Sequence, residues 1–389
     1  MSKWPLVPLG DIMVSRGGTV NPLKYRDESF ELHSIAAHDS GAPDILYGSE
    51  IGSSKQVVLP RDVMVSKIVP HIRRVSIVPE ASGLRQIASG EWIVFRGDSF
   101  VPEYLKHFLL SNAFHSQFMN TVAGVGGSLL RARPENVKAI QLPLPPLPVQ
   151  RRIAEILDEV DNIRAKRRSE LAALDTLPQA VFHELFNSVV EPVETTTLGK
   201  IANLVGGRSI VANDQDTDST FRVLKISAVT SGIYKPNESK SLPDEYIPPE
   251  RHLVRKGDLL ISRANTTELV GAVAYVNQTS GIHVLPDKIW RFDWKIPEPI
   301  IEYYFSLFRS PKMRLQMSAL ASGSGGSMKN ISKTKLEQLP IPIPPLSLQQ
   351  EFARRARAIT AQRELVANAL TADEELFAAL QAAAFLGAL

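Results

Sequence analysis

Two stretches of this 389-residue chain gather side chains that hold anions and read hydrogen-bonding edges. From 308 to 335 the basic residues Arg309, Lys312, Arg314, Lys329, Lys333 and Lys335 occur without a single acid. From 54 to 85, Lys55, Arg61, Lys67, Arg73, Arg74 and Arg85 stand against only Asp62 and Glu80. Lys and Arg neutralise phosphates with release of counterions, while Arg, Asn, Ser and Thr can read base edges. Arg263-Ala264-Asn265-Thr266-Thr267, and Lys67 with Arg73-Arg74, each follow a β-type run and have the composition of a base-reading loop. The candidate DNA contacts are therefore Lys67, Arg73, Arg74, Arg131 and Arg133 in the first half. In the second half they are Arg208, Lys225, Ser262, Arg263, Asn265, Thr266, Lys329 and Asn330. Composition alone also admits a solvated loop with surface ion pairs.

Other constellations bear on catalysis. Gly124-Val125-Gly126-Gly127-Ser128 and Gly323-Ser324-Gly325-Gly326-Ser327 offer backbone amides that could hold a phosphate, or could serve as hinges. There is no Gly-x-x-x-x-Gly-Lys-Ser/Thr loop, no Gly-x-Gly-x-x-Gly opening a helix and no His-Glu-x-x-His. His33 and His38, the one close histidine pair, are five apart, which suits neither one helix face nor a standard zinc pair. Pro286-Asp287 with Asp293-Trp294-Lys295 could hold magnesium, but strand-edge salt pairing explains them as well. Asn21-Pro22 lacks the following aromatic that grips a flipped adenine. The basic cluster Arg164, Lys166, Arg167, Arg168 is interleaved with acids and reads as a solvated face or a partner surface. No catalytic residue or metal site is expected.

Composition sets the frame for these residues. With 44 Lys plus Arg against 41 Asp plus Glu, a net charge of +3 is too mild to announce a nucleic-acid binder, so positive charge must be arranged locally. The absence of cysteine removes disulfides, thiolate zinc sites and cysteine nucleophiles. The start lacks a secretory apolar stretch and apolar runs are short, so the expectation is a soluble, cytoplasmic chain with no membrane contact.

The elements that must position the basic loops come in duplicate. Leu142-Pro143-Leu144-Pro145-Pro146-Leu147-Pro148-Val149-Gln150 returns 199 residues later as Ile341-Pro342-Ile343-Pro344-Pro345-Leu346-Ser347-Leu348-Gln349. Arg61-Asp62-Val63-Met64-Val65-Ser66-Lys67 resembles Gly257-Asp258-Leu259-Leu260-Ile261-Ser262-Arg263 at an offset of 196. Each repeat opens with short β-type runs, among them 56–59, 75–78, 92–95 and 270–275, which predict an α/β module in an α+β chain. A helical stretch follows at 104–119 and 301–317, then the glycine loop. After each proline cluster a long helix is expected, from 149 to about 187 and from 348 to about 384. Ser347 with Gln350 would form a capping box.

Apolar residues recur every seven positions in both helices. Ile153, Val160, Leu174 and Val181 form one series, with Leu157 beside it; Phe352, Ile359, Val366 and Leu380 form the other. Each series misses one member, at Arg167 and at Asp373. Two such helices are expected to pack on each other as an antiparallel coiled coil. At ~1.5 Å per residue, about 38 residues span roughly 57 Å. Pro178 should kink the first helix or end it near Leu177. The expected boundaries are a module over 1–145, a helix region over 146–190, a second module over 191–343 and a second helix region over 344–389.

Over nearly its full length this layout resembles the specificity subunit of type I restriction-modification enzymes. The resemblance rests on the two proline clusters, each followed by a long helix, and on Arg255-Lys256-Gly257-Asp258-Leu259-Leu260-Ile261-Ser262-Arg263-Ala264-Asn265, which is similar to a target recognition segment of that family. Leu59-Pro60-Arg61-Asp62-Val63-Met64-Val65-Ser66-Lys67 is a shorter version without the Gly and the final Arg-x-Asn. The resemblance implies a pseudo-twofold pair of recognition domains that read the two halves of a split, asymmetric double-stranded DNA target, with the helix pair setting the spacing. It implies a non-catalytic chain without cofactors of its own. S-adenosylmethionine, ATP and magnesium would belong to partners, two methyltransferase subunits and motor-nuclease subunits. A stand-alone DNA-binding regulator, or an enzyme with an unrecognised site, are the alternatives.

Overall fold

A computed structural model describes residues 3–14, 18–80, 82–123, 130–187, 193–209, 219–323 and 328–389. The chain divides into two compact units, Met1–Ser169 with Ala367–Leu389, and Glu170–Val366. Each unit holds one module of strands and short helices and a segment of each long helix.

In the first unit a five-stranded sheet is ordered Thr19–Val20, Lys55–Val57, Arg85–Ala88, Ser29–His33, Asp44–Tyr47. A three-stranded sheet is ordered Val75–Ile77, Val63–Ser66, Trp92–Phe95. The second unit repeats the scheme. A four-stranded sheet runs Ala202–Gly206, Ile289–Trp294, Leu259–Ser262, Val273–Tyr275, and a three-stranded sheet runs Ser239–Ser241, Arg222–Leu224, His283–Val284. Each module contains a parallel strand pair, Ser29–His33 with Arg85–Ala88 and Arg222–Leu224 with His283–Val284. An antiparallel clasp closes each module, Leu6–Pro8 on Gln141–Pro143 and Glu194–Thr197 on Pro340–Ile343.

The stretches expected to be single helices at 104–119 and 301–317 are each two. Pro102–Leu110 and Asn112–Met119 break at Ser111, and Ile301–Arg309 and Pro311–Leu320 break at Ser310. The serine hydroxyl accepts the amide of Phe114 at 3.1 Å or Met313 at 3.4 Å, which caps a new helix more favourably than the old one continues. Tyr104 and Tyr303 on the preceding helices are buried and donate to the carbonyls of Pro143 at 2.6 Å and Pro342 at 2.8 Å. Proline clusters lack donors, so a buried phenol is a natural partner for their carbonyls.

The long helices run Leu147–Asn187 and Leu346–Leu386. Each begins two residues earlier than the periodicity suggested. Ser347 therefore lies inside the second helix, and the expected capping box gives way to Gln150 and Gln349. Both amides are buried and donate to the carbonyl five residues back, Pro145 at 2.8 Å and Pro344 at 2.9 Å. The first helix also continues through Pro178. The proline deletes the N–H that the Leu174 carbonyl would accept, yet aromatic packing holds the next turns: the Phe182 ring lies 5.5 Å from Phe352, and Phe186 lies 5.0 Å from Tyr303.

Within each unit the two helix segments run antiparallel. In the first, Ile153 and Leu157 share a core with Ala384 and Phe385, with Leu380 packed against it, while further along Arg168 meets Glu374 at 2.8 Å. In the second, Phe182 and Val181 pack with Phe352, and Asp175 pairs with Arg363 at 2.5 Å. Val366 is buried, whereas Val160, Leu174 and Ile359 are half-buried. No helix among the described residues is long and apolar enough to cross a membrane.

Candidate nucleic-acid interface

The duplicated Asp–apolar run–Ser–base motif builds the same hairpin in each module. Asp62, buried, accepts the Leu59 amide at 2.8 Å and both arms of Arg96 at 2.7 and 2.6 Å. Asp258 accepts the Arg255 amide at 2.7 Å and lies 3.5 Å from Arg291. The acid thus anchors the start of the strand. At the other end Ser66 donates to the Ile68 carbonyl at 3.1 Å and Ser262 to the Ala264 carbonyl at 3.0 Å. Ser262 is fully buried and its hydroxyl shapes the loop.

Just beyond these serines, backbone pairing gathers the basic residues. Ala132 donates to the Lys67 carbonyl at 2.8 Å and Val69 to that of Leu130 at 3.0 Å, so Arg131 stands beside the hairpin. In the second module Ile331 donates to the Arg263 carbonyl at 2.8 Å, and Ala264 and Asn265 pair with Asn330 and Lys329. Four of the expected contacts, Arg263, Asn265, Lys329 and Asn330, meet on one strand pair. The glycine loops between them, 124–128 and 324–327, lie outside the described residues.

Most of these cations are held by protein groups that aim them. Arg74 is clamped by both oxygens of Asp39 at 2.7 Å, and this hydrogen bonding raises its pKa. Arg73 reaches the Leu110 carbonyl at 2.8 Å and Asn112 at 2.7 Å. Arg131 pairs with Glu91 at 3.2 Å. Arg263 donates to the Asp287 carbonyl at 2.7 Å and carboxylate at 3.1 Å, with its guanidinium 5.7 Å from the Trp290 ring. Asn265 contacts Thr230 at 3.3 Å and accepts the Thr266 amide at 2.9 Å. Arg133 and Thr266 are exposed, and Lys67 is half-buried. Asp293 holds Asn203 at 3.4 Å and Asp287 holds Arg263, so the acids that could have held magnesium serve strand edges. Among the described residues no group of three acids or histidines could hold a metal.

Arg208 and Lys225 line one cleft of about 270 Å³ in the second module. Lys240 and Lys288 line it too, and Asp287, the partner of Arg263, is its acid. Sequence reasoning missed both lysines. Lys288 directly follows Pro286-Asp287, a local signal that could have found it, whereas Lys240 sits on a strand whose pairing with Arg222–Leu224 no local signal announces.

Comparison with known proteins agrees with this duplicated plan. Over 323 residues, 77% of the chain, it is 26% identical to the Escherichia coli K12 type I restriction enzyme EcoKI specificity subunit, covering 67% of that protein. It is 33% identical over 152 residues to the Escherichia coli EcoEI specificity subunit, covering 38% of this chain but only 25% of that relative. Among solved structures, a chain from work on complex assembly and conformational transition of the type I R-M system shares the fold, with a TM-score of 0.65 at 21% identity over 99% of this chain and 98% of that one. The family model for the type I restriction modification DNA specificity domain matches both halves of the sequence, residues 1–173 and 190–371, and the chain belongs to that family.

Proposed function

We propose that this chain is the DNA-reading, non-catalytic subunit of a type I restriction-modification assembly that acts in the cytoplasm. Each module reads one half of a bipartite, asymmetric duplex target, and the helix pair sets the spacing of the halves. Two methyltransferase subunits supply S-adenosylmethionine, and motor-nuclease subunits supply ATP-driven cleavage with magnesium. The observation that carries this reading is the duplicated hairpin with basic segments paired beside it, Lys67-Ile68 with Arg131-Ala132 and Ala264-Asn265, next to Arg263, with Lys329-Asn330. Cations fixed by neighbouring groups need little ordering when a phosphate or base arrives, which favours affinity. The cleft of Arg208, Lys225, Lys240 and Lys288 extends the positive surface of the second module.

Single-molecule methylome sequencing of a host with and without the chain tests the reading. Loss of a bipartite adenine-methylation motif on deletion supports it and supplies the target. Unchanged methylation overturns it.

A further inference from the structure

Both hairpins end on an exposed branched aliphatic residue. In the first module Val69-Pro70-His71-Ile72 forms a turn in which the Ile72 amide donates to the Val69 carbonyl at 2.9 Å. In the second, Thr266 to Leu269 does the same at 3.1 Å. Ile72 is 44% exposed and Leu269 38%. Ile247, at 84%, is more exposed, but it has no such counterpart in the other repeat. What distinguishes Ile72 and Leu269 is that each occupies the last position of the same turn on the same hairpin, beside the basic strand pair.

Both turns are also held from behind by the same helix of their module. Arg73 fixes the first loop to Asn112, the first residue of Asn112–Met119, and to the Leu110 carbonyl that ends the helix before it. In the second, Arg314 and Ser318 on Pro311–Leu320 donate to the carbonyls of Glu268 at 2.7 Å and Thr267 at 3.0 Å. Gly271, at φ +78°, permits that approach, since a Cβ there would lie 3.2 Å from Arg314 and Met317. Val69 holds φ +47° immediately before a proline, a conformation costly for a β-branched residue and kept only where surroundings impose it. A loop so constrained, with an exposed aliphatic residue beside the basic strand pair, is built to present that residue to a partner.

We propose that Ile72 and Leu269 each contact the C5-methyl of a thymine in their half of the target. The major groove offers one apolar group on its base edges, the thymine methyl, and an exposed aliphatic tip beside the basic strand pair matches it. The inference rests on the functional reading above and adds specificity residues to it.

The test uses the full chain with its co-expressed methyltransferase and the bipartite duplex found by methylome sequencing, with thymines of one half replaced by deoxyuridine. Removing one buried methyl lowers affinity roughly 4-fold. Ile72→Ala abolishes this sensitivity in one half and Leu269→Ala in the other, while the untouched half remains methyl-sensitive and reports a folded chain. Ile72→Val retains sensitivity. Wild-type indifference to deoxyuridine in both halves, or variants that keep full sensitivity, overturn the inference while the functional reading stands. An alanine variant that weakens thymine and deoxyuridine duplexes equally points to a wedge between bases and also overturns it. A complex that binds no bipartite duplex overturns both.

Discussion

Arg167 and Asp373, the two residues that interrupt the heptad series of the long helices, pair with each other through Nε and Oδ2 in the first unit. Arg168 and Glu374 make a parallel contact at 2.8 Å on the next step. An ion pair at core-facing positions fixes antiparallel register, because sliding one helix leaves both charges facing apolar neighbours. The Asp373 side chain is 18% exposed and that of Arg167 33%, so Arg167→Leu should cost about 1–2 kcal/mol by stranding a carboxylate. The double change Arg167→Leu with Asp373→Leu completes the apolar stripe and should recover most of that loss. Urea unfolding checks it, and single effects that simply add would refute the pairing.

Gln150 and Gln349 occupy equivalent positions but differ in what depends on them. Gln150 donates to Ser99 at 3.2 Å and Pro145 at 2.8 Å and accepts the Val101 amide at 2.8 Å, stitching the first module to its helix. Gln349 holds Pro344 at 2.9 Å. Gln150→Leu leaves buried donors and acceptors unmet and should cost about 3 kcal/mol; Gln349→Leu should cost about 1 kcal/mol. Equal losses in thermal unfolding would show that the linker, not the module contact, is what each glutamine secures.

The repeat made the helices and the two modules legible, because heptads and proline clusters are local signals. It did not make Gln150 or Tyr104 legible as linker partners, although both recur at an offset of 199 as Gln349 and Tyr303; the carbonyls they satisfy leave no trace in side-chain pattern. Ser262 directly precedes Arg263 in sequence, and only the tertiary fold shows its hydroxyl turned inward to the Ala264 carbonyl. Pro178 failed as a helix terminator because packing by Phe182 and Phe186 outweighs one missing backbone bond. Arg208 and Lys225 became neighbours through strand pairing across a long stretch of chain, which periodicity does not encode.

The basic cleft and the hairpin cation should separate in salt titrations of DNA binding. Removing a cation that neutralises one phosphate lowers the slope of log K against log salt by about 0.9. Lys225→Ala and Lys288→Ala should each do so, whereas Arg263→Ala should reduce the slope less, because Asp287 already offsets its charge at 3.1 Å. Slopes unchanged in the lysine variants would remove the cleft from the interface.

His107 ties stability of the first unit to pH. It is fully buried, its Nε2 lies 2.8 Å from Asp158, its carbonyl accepts Gln381 at 3.1 Å and its ring lies 6.0 Å from Phe377. Burial pushes its pKa below the ordinary value of 6.5, outweighing the opposing pull of Asp158. The unfolded chain therefore binds this proton more readily than the folded one. Its contribution is complete above pH 6.5 and is lost as pH falls toward and through the depressed folded value. His33, also depressed by burial, adds to the same acid limb. His107→Gln, which keeps a polar side chain but does not titrate, should flatten that limb by up to about one proton, or about 1.4 kcal/mol per pH unit. Urea unfolding of wild type and variant between pH 7.5 and about 5 measures the difference. Parallel pH profiles would show that acid lability originates at another group.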